Sequence, residues 1–474
     1  HNPYRCFPQY FKPQIAAAGW SWFQKYVVTA VTERDLTGGS PDETWSYAYS
    51  TAGSSDTSLW FHDYTETVQL AYRSWSQWRG YTTVVTTHGA TSGQQTVSTS
   101  LYYRGMNGDG LLSADKASVL WGTRAVTLTD SQGTAVTDSY GLLGFLREQT
   151  TQDGSTVLGS TIHVPAVTQT ALRNAPATGG QNIAATMVTE PGTRSRTWLP
   201  VSSTWRWTET QRTFDGYGLP TLVKDLGDTT VATDDTCTST SYARSVTTTS
   251  YFVDLPAQEV TTDCAATLTD ASYLAGSQTL YDGSTTVGAA PTQGLETRTN
   301  DLASVVGGVL TWSQGGRTVF DAYGRATAAY DPLDRSTTMG FTPATGGPVT
   351  STTTTNAKGW ATTITVEPGQ GTPTGVVDAN GKQTVAQYDP LGRLVKVWLN
   401  SRQTSANPDM QYTYTLSASA PNSVRTQTLN PAGAQVSSYE VMDGRLRSRQ
   451  TQAPTPTANG GRMIKDTAYS DRGL

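Results

Sequence analysis

Short runs in which large and polar residues alternate fill most of this chain. From Thr197, "TWLPVSSTWRWTETQRTFDGYG" alternates as a long pair of strands would, because successive side chains of a strand point to opposite faces. "YDPLGRLVKVW", Tyr388 to Trp398, reads as a strand, a tight turn and a second strand. The same corner recurs in "FDAYGRATAAY" from Phe320 and "YDPLDRSTTMG" from Tyr330. No long amphipathic helix is visible, and "ATLTDASYLAGSQTLYDG" is the one stretch read as holding a short helix. The pattern predicts an all-β fold.

The corner is a repeat. It starts with an aromatic or apolar residue, continues with Asp or Asn, and places Gly four positions after the start and often Arg at the fifth. Starts fall at Phe214, Phe320, Tyr330, Thr355, Val377, Tyr388, Met442 and Tyr469. The next residue is Asp215, Asp321, Asp331, Asn356, Asp378, Asp389 or Asp443 in seven of the eight, with Ser470 the exception. Gly218, Gly324, Gly359, Gly381, Gly392 and Gly473 fill the fourth position in six, and Asp334 and Leu446 replace it in the others. Weaker copies lie at Arg34–Asp35 with Gly38 and at Thr129–Asp130 with Gly133. Steps of 10 and 11 residues between starts fit one strand, and steps of 22 to 27 fit about two. The step of 54 contains "MQYTYTLSASAPNSVRTQTLNPAG", a degenerate hairpin.

The repeated residues are turn formers. An Asp or Asn side chain can bond backbone two residues on. Pro332 and Pro390 preset the first corner of a type I turn. Gly supplies a positive φ, which Asp334 tolerates and Leu446 does not, so the Leu446 turn is expected to differ in shape. The Arg is read as a solvated edge charge that discourages unwanted pairing. A single hairpin cannot bury its hydrophobic face, so an array must draw its core from stacked neighbours.

Composition narrows the classes. The 474 residues allow two to four ordinary domains or one large array. Only 36% are hydrophobic and 15% charged, but 13 Trp and 23 Tyr are too many for a disordered chain. A net charge of −5, without a block of like charges, argues against a nucleic-acid partner. No apolar run approaches the ~18 residues of a membrane-spanning helix. The chain begins without Met or a signal peptide, which leads to the expectation of a trimmed N-terminus.

Of the three cysteines, Cys237 and Cys264 lie 27 apart in a Thr-rich region. A disulfide between them is expected, with Cys6 outside it; the alternative is two separate buried thiols. A disulfide would imply an oxidising, extracellular setting.

The Tyr-Asp-x-x-Gly-Arg pattern of "YDPLGRLVKVW", "FDAYGRATAAY" and "DANGKQTVAQYDPLGR" resembles the YD repeat of Rhs-family proteins. "FTPATGGPV", "SWSQWRGYTTV", "YYRGMNGDG" and "YSDRGL" look like the long Rhs-repeat proteins of actinomycetes. The strong resemblance covers about Phe320 to Leu474. The N-terminal part resembles regions that precede the repeats in related insecticidal-toxin components. The resemblance implies a β-hairpin array winding into a large hollow spiral or barrel-like shell, of which this chain is part. It also implies a non-enzymatic role, enclosing a polypeptide cargo such as a C-terminal toxin absent from this chain. The family's self-cleaving Asp-containing motif has no match here.

The expected organisation is a Trp-rich β region over 1–150, a poorly periodic β linker over 151–210, and the array over 211–474. Trp20, Trp22, Trp45, Trp60, Trp75, Trp78 and Trp121 mark the first region. The array stops within a repeat, so a truncated sheet is expected, with Tyr469 onward lying against further polypeptide. Partners follow: the remainder of the polypeptide or another chain completing the shell, and the cargo. The alternative is a secreted or wall-associated adhesion or glycan-binding protein, and a β-rich enzyme is the third reading.

Candidate chemistry is thin, and no cofactor is expected. His1, His62, His88 and His163 have no metal-ligand companions at helical spacing. His62 precedes Asp63 and lies near Glu66, but neighbours on a strand face opposite ways, so an ordinary surface pair is expected. "MNGDGLLSAD" offers Asn107, Asp109 and Asp115, yet Gly105 and Lys116 stand where a calcium loop needs ligands, so a turn is expected. "DLGDTTVATDD" from Asp225 is read the same way. The fixed offset of the repeat carboxylates from Gly marks them as turn formers, not as a hydrolytic pair.

Overall fold

The computed structural model describes the chain except residues 1, 12, 13, 16, 66, 67, 92, 113–118, 121, 175–181, 456–459 and 474. His1, Glu66, Asp115, Lys116, Trp121 and Leu474 therefore lie outside the described residues. The regular structure of the described chain is almost wholly antiparallel strand. Three-residue 3-10 turns occur at Leu70–Tyr72, Tyr140–Leu142 and Asp270–Ser272. The last lies in the stretch expected to hold the one short helix; the other two are too brief to leave a helical period in the sequence.

Contacts group the chain into two compact units. The first comprises His1–Thr32, Glu43–Thr240 and Val260–Leu274. Its main sheet runs through Glu43–Ser50, Thr83–His88, Thr96–Tyr102 and Leu146–Asp153, then through Thr156–Arg173, Ile183–Leu199, Thr204–Phe214, Pro220–Asp228 and the start of Thr236–Val246. Thr156–Arg173 and Ile183–Leu199 are strands of 18 and 17 residues, although residues 151–210 read as poorly periodic. The register shifts between Val164 and Ala166 and between Gln169 and Ala171. Each bulge flips the facing of later residues and erases the period of two from the sequence. Beside the sheet, Leu101, Tyr103, Leu128 and Leu142 form one buried cluster, and Phe61, Met106 and Val126 another.

The second unit comprises Glu33–Asp42, Ser241–Glu259 and Ala275–Leu474. From Glu296–Val306 to Arg462–Asp466 every strand pairs antiparallel with the next in sequence, an open meander rather than a closed barrel. Thr dominates strands such as "STTTT" and "ATTITVE", because β-branched side chains fit a pleated, half-covered surface. All five residues of Ser351–Thr355 are half-buried, so neither face is fully covered there. A small apolar cluster is built from Ala243, Ala257 and Tyr281.

The accessible surface is 27066 Å², where a compact monomer of this mass would expose about 17,000 Å². Sheets this thin keep most of their area in contact with solvent.

Candidate functional site

The repeat turn has one geometry throughout. At Asp321 the backbone N–H donates to Arg325 O at 3.0 Å, and Gly324 N–H donates to Asp321 O at 3.0 Å. Asp321 Oδ1 accepts the N–H of Tyr323 and of Arg325, at 2.9 and 3.0 Å. The same backbone pair closes the turns at Asp215, Asp331, Asn356, Asp378, Asp389 and Asp443. In each of these the side-chain oxygen also accepts two backbone N–H groups. The fourth position requires positive φ: Gly218, Gly324, Gly359, Gly381, Gly392 and Gly473 lie at 79°, 74°, 81°, 70°, 76° and 74°. Asp334 adopts 62°.

Two expectations about this turn are corrected. Leu446 does not change its shape: its φ is 60°, its N–H donates to Asp443 O, and Asp443 N–H donates to Arg447 O, both at 3.0 Å. Two backbone bonds and the capping carboxylate outweigh the strain of a left-handed leucine. The Arg, in turn, is no free edge charge. Arg325, Arg335, Arg393 and Arg447 donate Nε–H to Oδ2 of their own Asp at 2.7, 2.7, 2.7 and 2.8 Å.

Three of these guanidinium groups also lie over a ring farther along the chain. Arg325 is 4.4 Å from the Phe341 centroid, Arg393 4.6 Å from Tyr414, and Arg447 4.1 Å from Tyr469. Tyr414 and Tyr469 donate their hydroxyls to Leu394 O and Ser448 O, each at 2.9 Å. Tyr469 is thus ordered against the preceding turn of this same chain.

Sequence reading missed one full copy. Asn430 N–H donates to Ala434 O and Gly433 N–H to Asn430 O, both at 2.9 Å, with Gly433 at φ 81°. Leu429 and Ala434 stand where an aromatic start and an Arg would have flagged it. Of the weaker copies, Asp130 forms the same turn with Gly133 and Thr134. Asp35 forms only part of it: Gly38, at φ 75°, donates to Asp35 O at 3.2 Å, but the carboxylate caps Thr37, Gly39 and Ser40 and reaches Gly444.

The carboxyls of Asp321, Asp331, Asp389 and Asp443 are held below the usual range. For Asp331 and Asp389 the largest influence is a hydrogen bond from Arg335 and Arg393 respectively. For Asp321 and Asp443 burial pushes upward and is outweighed by bonds from Arg325 and Arg447.

A second constellation lies in the first unit. Asp109, fully buried, accepts the N–H of His62 and Gly110 at 2.8 Å, Trp75 Nε1–H at 3.2 Å and Arg124 Nη1–H at 2.6 Å. Arg124 also pairs with Asp56. Asp138 Oδ1 accepts the N–H of Arg104 and Gly105 at 2.8 Å, and the Arg104 guanidinium caps Asp56 O at 2.6 Å and Ser54 Oγ at 2.9 Å. Burial pushes the Asp109 and Asp138 carboxyls up and the His62 imidazole down. His62 is therefore a core residue, 2% exposed, and not the expected surface partner of Asp63. Asn107 and Asp109 serve loop closure and ion pairing: Asn107 Oδ1 accepts Val126 N–H at 3.0 Å.

Among the described residues no group of three or more His, Cys, Asp and Glu gathers as a metal site. In the acidic segment, Asp225, Asp228 and Asp234 each accept local N–H groups. Cys237 and Cys264 are joined as a disulfide, and Cys6 is free.

No family model matches the chain, and no curated protein matches it by sequence. Among solved structures it is similar to the crystal structure of TcdB2–TccC3, with a TM-score of 0.62 and 13% identity over 92% of this chain and 28% of that one. The fold is shared with part of that chain. The same likeness holds for TcdB2–TccC3 without its hypervariable C-terminal region, with a TM-score of 0.63, 12% identity, and 91% and 30% coverage. It holds also for the Photorhabdus luminescens Tc holotoxin pore, with a TM-score of 0.62, 12% identity, and 92% and 30% coverage. The chain spans less than a third of these Tc toxin chains. No helix among the described residues is long and apolar enough to cross a membrane.

Proposed function

We propose that this chain is a portion of the wall of an Rhs-type shell that encloses a polypeptide cargo, a toxin being the case its repeats resemble. The observation that carries the reading is a thin meander of riveted turns, with far more exposed surface than a compact protein of its mass, in a Tc toxin fold. Its flanking phrases, such as "FTPATGGPV" and "YYRGMNGDG", resemble those of the long actinomycete-type Rhs-repeat proteins, and the proposal takes that resemblance as its guide. The wall is completed by the remainder of the polypeptide or by another chain. It works outside the cell or at its surface, a setting that the Cys237–Cys264 disulfide favours.

The wall is chemically passive. The buried carboxylates Asp109 and Asp138 are engaged by backbone N–H groups and arginines, not held ready for proton transfer. Electron cryo-microscopy of the intact particle tests the reading: a closed wall around separate interior density is expected. A solid-cored particle, or a turnover abolished by one substitution in this chain, would overturn it.

Exposed indoles favour a second reading as an adhesion or glycan-binding surface. Trp20, Trp22 and Trp360 are 48%, 70% and 57% exposed, and flat aromatic faces stack on sugars. Binding on a glycan array that is lost in Trp22→Ala would select this reading.

A further inference from the structure

We propose that the second unit carries a binding cavity for a carboxylate, formed between Tyr273–Tyr281, Glu296–Val306 and Val309–Phe320. The cavity has a volume of about 620 Å³; Leu280, Leu295 and Phe320 are among its apolar lining, and Arg298, Asn300 and Arg317 among its polar lining, with Asp282 and Asp321. Arg298 and Arg317 are direct partners in the strand ladder. Like charges in that position disfavour pairing, and within the chain Asp334 offsets only that of Arg317. The placement is built in by a bulge between Arg298 and Asn300. A Cβ on Gly315 would come within 2.4 Å of Thr299 O, and one on Gly316 within 2.6 Å of Tyr330 O. Only glycine lets three strands approach this closely.

Neither arginine is saturated. Arg317 donates Nη2–H and Nε–H to Asp334 Oδ1 at 2.9 and 3.3 Å and lies over the Tyr330 ring. Arg298 donates only Nη1–H, to Gln314 Oε1 at 2.7 Å, so Nε and Nη2 remain for a ligand. The carboxylates on the rim do not compete. Asp282 accepts the N–H groups of Thr292, Gln293, Gly294 and Leu295, and Asp321 is bound by its own turn and by Arg325.

Asn300 is an independent mark. It is 8% exposed, and its Nδ2–H donates to Gln278 Oε1 at 3.3 Å, while Gln278 Nε2–H donates to Gln258 Oε1 at 2.8 Å. The ladder couples the orientations of its three amides to one another. It ends on Asn300 Oδ1, a buried acceptor with no donor. Leaving such an atom unsatisfied destabilises the fold, and a ligand N–H would relieve it. Two cationic N–H groups beside one buried acceptor match a carboxylate carried near an amide N–H. That is the chemistry of an aspartate or glutamate within a polypeptide. The assignment rests on these residues alone and holds whether or not the wall encloses a cargo.

Calorimetric titration of the whole chain tests it with three probes: acetyl-Gly-Glu-Gly-amide, the same peptide with Gln, and glutarate. The Glu peptide is expected to bind at least about tenfold more tightly than the Gln peptide, the worth of a charge-assisted pair. Arg298→Gln should remove that difference, and Asn300→Leu should weaken the Glu peptide while leaving glutarate unchanged. Glutarate binding as tightly as the peptide, with Asn300→Leu silent, would keep the carboxylate site and assign it to free carboxylates. Equal binding of the Glu and Gln peptides with no glutarate binding, or an Arg298→Gln chain that binds like the parent, would overturn the proposal. Should Arg298→Gln fail to fold, Arg298→Lys, which keeps the charge and loses the Nε–Nη2 fork, is expected to weaken the Glu peptide, and unchanged affinity counts against the site.

Discussion

Asp35 and Gly444 stand 409 positions apart, yet Asp35 Oδ1 accepts the Gly444 N–H at 2.9 Å. The other Asp35 oxygen accepts the N–H of Gly39 and Ser40, each at 2.8 Å. Ser40 Oγ–H then donates to Asp443 Oδ2 at 2.9 Å, and Arg445 Nη2–H donates to Glu33 O at 2.5 Å and Pro41 O at 3.2 Å. An early segment of the chain thus clasps the turn at Asp443, whose side chain is fully buried. Fixing two points so distant in sequence costs chain entropy, and this dense set of charge-assisted bonds offsets it.

The clasp should be worth measurable stability. Asp35→Ala leaves five donors without their acceptor and is expected to destabilise the second unit by about 1–3 kcal/mol. Denaturant unfolding measures the loss, and hydrogen exchange at Gly444 should quicken in the same variant. Unchanged exchange there would mean that the turn holds itself.

Acid should loosen the array. Burial pushes the Asp35 carboxyl up, but hydrogen bonds from Thr37, Gly39 and Ser40 prevail and hold it well below its ordinary 3.8. Asp321, Asp331, Asp389 and Asp443 are displaced in the same direction. A depressed folded value contributes stability above the unfolded value, and that stability is lost as pH falls through the folded value. Stability should therefore be flat near neutral pH and fall once the pH drops below about 4. Asp35→Asn should shallow that fall, and a parallel pH profile would remove Asp35 from the explanation.

Leu446 and Gly392 give opposite predictions from one turn. At φ 60°, with 61% of its surface exposed, Leu446 carries left-handed strain and little burial. Leu446→Gly is expected to stabilise by about 0.5–1 kcal/mol, the strain relieved less the added freedom of the unfolded chain. Gly392 lies at φ 76°, and a Cβ there would meet Gln370 Oε1 at 3.0 Å. Gly392→Val should cost more than about 1 kcal/mol. Paired thermal melts decide both signs.

The Asp and Gly of each turn were legible because their chemistry is local: a side chain bonding backbone two and four residues on, and a positive φ. The Arg is not legible in this way, because in sequence it looks like the first residue of the outgoing strand. There, the fifth position folds back onto the carboxylate at the second. Asn430 is hard to see because its flanking Leu429 and Ala434 are unremarkable in type, though its amide oxygen caps the turn through the Ala434 N–H. The buried Asp109–Arg124–Asp56 network was invisible for another reason. Its members come from separate loops, and sequence spacing carries no record of that meeting.

Arg393 should not be replaceable by Lys. Its guanidinium uses one edge for Asp389 at 2.7 Å and one face for the Tyr414 ring at 4.6 Å. An ammonium supplies the charge but neither the fork nor the plane. Arg393→Lys and Tyr414→Leu are expected to couple by about 0.5–1 kcal/mol in a double-mutant cycle. Strict additivity would reduce the stacking to coincidence of position.

The disulfide bears on both stability and setting. Cys237 and Cys264 close a loop of 27 residues within the first unit. Loop-closure entropy of that size corresponds to about 3–4 kcal/mol. Thermal unfolding with and without reductant should differ accordingly, and the double Cys→Ser variant should match the reduced chain and ignore reductant. Cys6, free and half-buried, should label with a thiol reagent in either state after unfolding. Peptide mapping of protein recovered from its native source, without reductant, is the decisive measurement. A linked Cys237–Cys264 peptide is expected, because the bond persists in an oxidising compartment; two free thiols there would remove the argument for an extracellular wall while leaving the turns, the clasp and the meander untouched.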